Sequence, residues 1–160
     1  MATSTFIQTM EKLYSLHEEL YEIATKKTDV LKENRDVSEL KELLKEEQLC
    51  LKKIQQTEAE RMKLTDERLK GTEDKSLTAL IERASGSEKE MLENLQVRFL
   101  EMMTKLKAVN ELNQQLTHYA LQYINLSLDM MMPQETTVTY SHPNQTKENR
   151  SQRSMFDSKA

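Results

Sequence analysis

Glycine, proline and tryptophan are scarce in this sequence of 160 residues, which has two glycines, two prolines and no tryptophan. So few turn-forming residues leave little material for the hairpins of a β-sheet fold. Charged residues make up 31% of the chain and apolar residues 37%. A chain dominated by leucine, glutamate and lysine is typical of long helices and coiled coils. We therefore expect narrow helix-on-helix seams and no natural cavity for a buried cofactor.

Cysteine is limited to a single residue, and the net charge is small and negative. Because Cys50 is alone, an internal disulfide is impossible and a reducing compartment is expected. Its leucine-rich surroundings favour a small buried side chain over a reactive thiol. The net charge is −4 and the basic residues alternate with glutamates, whereas nucleic-acid binding needs clustered lysines and arginines. We expect no nucleic-acid partner.

Motifs for catalysis or metal binding are missing as well. The stretch HEELY at 17–21 approaches the H-E-x-x-H pattern of zinc proteases, but Tyr21 stands where the second imidazole is required. His118 and His142 have no cysteine near them, and no glycine-rich phosphate loop occurs. The sequence therefore predicts no enzyme, no metal site and no cofactor.

The first helix is predicted from about Ser4 to Asn34, because apolar residues recur there at spacings of three and four. That stripe consists of Phe6, Met10, Leu13, His17, Leu20, Ala24, Lys27 and Leu31, with Leu16, Ile23 and Val30 beside it. Asp36 is expected to cap the next helix, with Glu39 reaching back to the cap. A connection this short favours an antiparallel neighbour.

The second helix is predicted over residues 37–70. Its first half is strongly apolar, but its second half, QQTEAERMKLTDERLK, is mostly polar, so we expect that end to project or to pack loosely. Gly71 and Gly86 then bracket a short segment in which LTALIERA is the one apolar cluster. This segment is predicted to form a single helical piece at a chain reversal.

The last helix has the most regular pattern, starting from a capping box formed by Ser87 and Glu90. More than five unbroken heptads indicate coiled-coil packing, and Asn113 in the seam can fix its register. The stripe consists of Leu92, Leu95, Phe99, Met102, Leu106, Val109, Asn113, Leu116, Ala120, Tyr123, Ser127 and Met130.

The chain changes character at Pro133, which cannot continue a helix interior. TTVTY at 136–140 is prone to extended structure, and the polar residues after it predict disorder. The fold class is therefore all-α: an elongated antiparallel bundle or coiled coil of three long helices and one short helix. We expect a helical bundle over residues 1–132 and a flexible tail over 133–160.

Residues 119–132 form the longest apolar stretch, but it is too short for a membrane span and contains Gln122, Asn125 and Asp129. The unbroken seam favours a helix over a strand here. On a helix the apolar residues cover on the order of 240°, more than a bundle seam uses. Either the bundle or the tail covers the excess, or the excess is a partner-binding surface. If both are partly true, the tail shields the surface until a partner displaces it. The excess residues are Tyr119, Leu121, Ile124, Leu126, Leu128, Met131 and Met132.

Three stretches together resemble the FlgN-type flagellar export chaperones. They are the hairpin DVSELKELLKEEQLCLKKI, the helix end ELNQQLTHYALQYINLSLDMM and the segment TTVTY that reaches a tyrosine. The likeness covers about residues 5–140. It implies a cytoplasmic chaperone that binds the C-terminal helical segments of hook-associated proteins and prevents their premature assembly. It also implies delivery of these clients to the flagellar type III export apparatus, with Val138 and Tyr140 contributing to the site.

Two alternatives to this function follow from the same sequence. One is a structural or adaptor coiled-coil protein that oligomerises through the seam at 92–130, and the other is a helical export chaperone for a different flagellar client. A heptad seam can close within one chain or between chains, so the sequence leaves the oligomeric state open.

Overall fold

The structure, a computed structural model, describes residues 2–131. They form four α-helices: α1 (Ala2–Lys32), α2 (Val37–Arg68), α3 (Leu77–Arg83) and α4 (Gly86–Met131). No strand occurs among these residues, and the predicted all-α fold of three long helices and one short helix is confirmed. One compact unit ends at His118, and a second begins at Tyr119. The tail predicted over 133–160 lies outside the described residues.

Helices α1 and α2 form an antiparallel hairpin, as their short connection predicted. Lys27 Nζ lies 2.7 Å from Glu47 Oε2, and the Cys50 thiol donates a hydrogen bond to Leu16 O at 3.3 Å. Residue numbers in α2 therefore rise as those of the contacting residues in α1 fall. The turn passes through Asn34, whose φ of 53° is a left-handed conformation that asparagine adopts more readily than most residues.

Asp36 starts α2 as predicted, because its carboxylate accepts a hydrogen bond from the backbone N–H of Ser38 at 3.3 Å. Glu39 differs from the predicted capping box. Its carboxylate lies 3.7 Å from the guanidinium of Arg35, which precedes the helix by two residues and offers a full positive charge.

Helix α4 runs parallel to α1. Arg98 Nη1 lies 2.8 Å from Glu11 Oε1, and Asn113 Nδ2 donates to Ala24 O at 3.0 Å, so residue numbers rise together along the two helices. Near the start of α4, Glu88 Oε1 lies 2.7 Å from Arg68 Nη2 at the end of α2.

Two apolar clusters stabilise the first unit. Most of the predicted α1 stripe is buried, which accounts for the formation of this helix from its periodic pattern, and four of its residues belong to the clusters. The first cluster consists of Phe6, Met10, Leu69, Ala79, Leu80, Ile81, Leu92 and Leu95. The second consists of Ile23, Val30, Leu43 and Cys50.

The second half of α2 packs firmly, so the expectation that it projects or packs loosely is wrong. Thr57 and Thr65 are buried, and Leu69 just beyond the helix is fully buried. The hydroxyls of the two threonines donate to the carbonyls of Lys53 and Arg61 at 2.9 and 2.8 Å. A threonine that satisfies its hydroxyl within its own helix can bury its methyl group like an apolar residue.

The short helix α3 forms at the predicted reversal between the two glycines. Gly71 and Gly86 have φ angles of 81° and 62°, which residues with a Cβ adopt only with strain. Ser76 caps α3 by accepting a hydrogen bond from Ala79 N at 3.2 Å. Helix α4 begins at Gly86, so the predicted cap Ser87 lies inside its first turn.

Candidate partner-binding surface

Asn113 is the polar residue that the seam pattern placed between α4 and a neighbour. Its side chain is buried; Nδ2 donates to Ala24 O at 3.0 Å, and Oδ1 accepts from the Thr28 hydroxyl at 2.5 Å. The Thr28 hydroxyl has a single hydrogen and donates it to Oδ1. It therefore does not compete with the Asn113 amide for Ala24 O. Both ends of the amide are thus satisfied by α1 in one register.

The α4 stripe changes from buried to exposed shortly after this point. Leu106 and Asn113 are buried and Leu116 is half-buried, but Tyr123 and Met130 are 71% and 74% exposed. Helix α1 ends at Lys32, four residues after the threonine that bonds Asn113. The heptad pattern therefore continues along α4 beyond the length of helix that α1 provides.

The predicted excess residues that the structure describes are all well exposed. Their exposed fractions lie between 50% and 80%, and the residues are Tyr119, Leu121, Ile124, Leu126, Leu128 and Met131. Met132, Val138 and Tyr140 lie outside the described residues. The role of this set in binding stays a prediction.

Residues 119–131 of α4 present an apolar surface with one polar edge. At about 100° per residue, the apolar side chains cover about 220° of the helix, and the remainder carries Gln122, Asn125 and Asp129. Asp129 is the only charged residue in this section. We call residues 119–131 the terminal section. Such a section can bind apolar side chains.

Tyr123 and Met130 are the surface residues that the sequence reasoning missed, because it assigned them to a packed seam. Periodicity shows which face of α4 is apolar but not how far the neighbouring helix extends along it. The end of α1 relative to Asn113 was the missing information.

His17 and Cys50 have structural roles in the first unit. His17 Nδ1 lies 2.7 Å from Leu13 O, and its ring packs edge-on against Phe99 with centroids 5.8 Å apart. Burial raises the pKa of the Cys50 thiol, which makes it a poor nucleophile. Across residues 2–131, no three histidine, cysteine, aspartate or glutamate side chains group as metal ligands would.

None of the described helices combines the length and the hydropathy that crossing a membrane requires. No solved structure is significantly similar to the chain. The chain is 38% identical over 161 residues to the uncharacterized protein YvyG of Bacillus subtilis (strain 168), and the match covers 100% of each chain. The model of the FlgN protein family matches residues 1–148, which confirms the resemblance found in the sequence. The chain therefore belongs to the FlgN family of flagellar export chaperones.

Proposed function

We propose that this protein is a cytoplasmic export chaperone that binds the C-terminal helical segments of hook-associated proteins. It keeps these clients from assembling prematurely and delivers them to the flagellar type III export apparatus. The observation that supports this proposal is the exposed apolar terminal section, since large apolar surfaces rarely persist without a partner. Family membership supports the choice of a flagellar client.

The client segment would bind as an amphipathic helix laid along the terminal section. Helix-in-groove recognition places apolar anchors at three- and four-residue spacing against such a surface. Burying one large apolar side chain contributes about 1.5–3 kcal/mol. Several anchors are needed to offset the roughly 4–15 kcal/mol of lost translational and rotational freedom, which a surface this wide provides. The exposed Met130 and Met131 suit a surface that adapts to more than one client helix.

Residues beyond the terminal section complete the proposed site. Met132 extends the apolar stretch, and Val138 and Tyr140 follow Pro133 in the sequence. We propose that this segment orders over the bound client. A chain ending at Met131 would then bind the client more weakly than the full chain.

Two substitutions on α4 test the proposed function. Leu126→Asp places a charge within the terminal section, and Leu100→Asp places one at a residue of the first unit. Leu126 and Leu100 are 60% and 65% exposed, so they are matched for exposure and helix. We expect Leu126→Asp to weaken binding of a purified hook-associated protein from the same bacterium at least about tenfold, and Leu100→Asp to leave it unchanged.

Titration calorimetry measures the binding, and circular dichroism checks that both variants stay helical. Equal binding by the two variants would count against the proposed site. Unfolding of the Leu126→Asp protein would show that this leucine belongs to the core, and the structural coiled-coil alternative would then explain the stretch better.

A further inference from the structure

The exposed part of the α4 stripe alternates between small and large side chains. Within the terminal section the heptad positions fall on Ala120, Tyr123, Ser127 and Met130. They continue, without a change of phase, the positions by which α4 packs on α1 as far as Asn113. This face is therefore the continuation of a coiled-coil seam, in which Ala120, Tyr123 and Met130 are exposed and Ser127 is half-buried.

The order of these four side chains makes the seam complementary to a reversed copy of itself. When two copies lie antiparallel, Ala120 of one faces Met130 of the other, and Tyr123 faces Ser127. Every layer then pairs one small residue with one large residue, which fills a seam evenly. A parallel pair would set Tyr123 against Tyr123 and Ser127 against Ser127, so layers would be overfilled and underfilled in turn.

The residues beside the seam do not oppose self-association. The flanking positions, which often carry the charges that select coiled-coil partners, hold Ile124, Leu126 and Met131. The single charge, Asp129, lies on roughly the opposite side of the helix at about 100° per residue. Two copies can therefore approach without like-charge repulsion in the interface.

We propose that two copies of this protein associate through the terminal section as an antiparallel pair. The contact is isologous, since each copy offers the same patch and residue pairs occur twice around a two-fold axis. The terminal section has 13 residues, fewer than the roughly 20–30 a side of a stable complex. The pair is therefore weak and depends on protein concentration. If the proposed function holds, a client helix that binds the same surface displaces the second copy.

Sedimentation velocity on the full chain over a concentration series tests the pairing without any client. We expect a reversible shift from monomer to dimer as concentration rises. Tyr123→Ser leaves layers with two small residues, and Ser127→Tyr forces two large residues together. Each change should raise the dissociation constant of the dimer about tenfold or more, because a cavity or an overfilled layer costs on that scale.

The combined variant Tyr123→Ser with Ser127→Tyr is the decisive one. It restores one large and one small residue in every layer, so we expect the dimer to recover. Leu128→Ser serves as a control, because Leu128 is half-exposed and lies outside the seam positions. Its dissociation constant should stay close to that of the unchanged protein.

Disulfide trapping determines the orientation, in a Cys50→Ala background that removes the buried thiol. A mixture of the Ala120→Cys and Met130→Cys proteins should cross-link between copies, and neither should cross-link alone. Bridged cysteines need Cα atoms within about 7 Å, whereas two copies of residue 120 lie about 15 Å apart along an antiparallel pair.

Three results would overturn the proposal. The first is a monomer at every concentration, and the second is a dimer that the seam substitutions do not affect. The third is a full chain that stays monomeric while a chain ending at Met131 dimerises, because residues 132–160 would then occupy the seam. None of these results bears on client capture, which is measured separately by calorimetry, so the two proposals can fail independently.

Discussion

Asn113 shows at the scale of one residue how a polar group can specify a helical seam. Its amide takes a hydrogen bond from Thr28 and gives one to the backbone of Ala24. In the part of the chain that the structure describes, every buried side-chain nitrogen or oxygen has a hydrogen-bond partner. The hydrogen bonds of this amide therefore compensate for its desolvation. Sliding α4 by one turn would break both bonds, which fixes the register between α1 and α4.

Replacing the amide nitrogen of Asn113 with oxygen tests this role. Asn113→Asp sets a buried carboxylate oxygen against the carbonyl of Ala24, so we expect the free energy of unfolding to fall by about 2–4 kcal/mol. Asn110→Asp is the matched control, because Asn110 is exposed on the same helix. Urea denaturation followed by circular dichroism measures the free energy of unfolding of both variants. Equal stability of the two would show that the hydrogen bonds of Asn113 do not fix the register.

Helix α2 shows at the scale of an element how threonines substitute for aliphatic residues. Thr57 and Thr65 bury their methyl groups and bond their hydroxyls to the carbonyl four residues earlier. Thr104 makes the same bond to Leu100 O at 2.8 Å, but it is exposed. The two settings therefore separate burial of the methyl group from the hydrogen bond.

Thr57→Ala and Thr104→Ala measure that difference. We expect Thr57→Ala to lower the free energy of unfolding by about 1–2 kcal/mol, because it leaves a cavity in the packed half of α2. Thr104→Ala should change it by less than about 0.5 kcal/mol. Denaturant midpoints measured at equal protein concentration give both values. A neutral Thr57→Ala would restore the earlier expectation that this half packs loosely.

The elements differ in how far the sequence predicted them, for identifiable reasons. Helix α1 was predictable because its buried face is mostly apolar, and the reversal at α3 because Gly71 and Gly86 bracket one apolar segment. The second half of α2 was not, since its buried residues are threonines that count as polar. The excess apolar surface of α4 followed from its angular width. The exposure of Tyr123 did not follow from the sequence pattern, because it depends on where α1 ends.

The whole molecule divides at His118 into one unit that holds both apolar clusters and a second that begins with the terminal section. We expect a chain ending at His118 to fold alone and to keep its Tm within about 5 °C of the full chain, since no cluster residue is removed. Leu92→Ala in the shortened chain shows that the assay is sensitive, because losing a fully buried leucine costs about 2–5 kcal/mol. Loss of cooperative melting in the shortened chain would mean that the terminal section belongs to the core.

The most direct test of the central claim is the binding of a purified hook-associated protein to the full chain and to the folded chain ending at His118. The terminal section is proposed to supply the client site, so the account predicts binding by the full chain and none by the shortened chain. Equal binding by both would place the client site in the first unit and contradict the account.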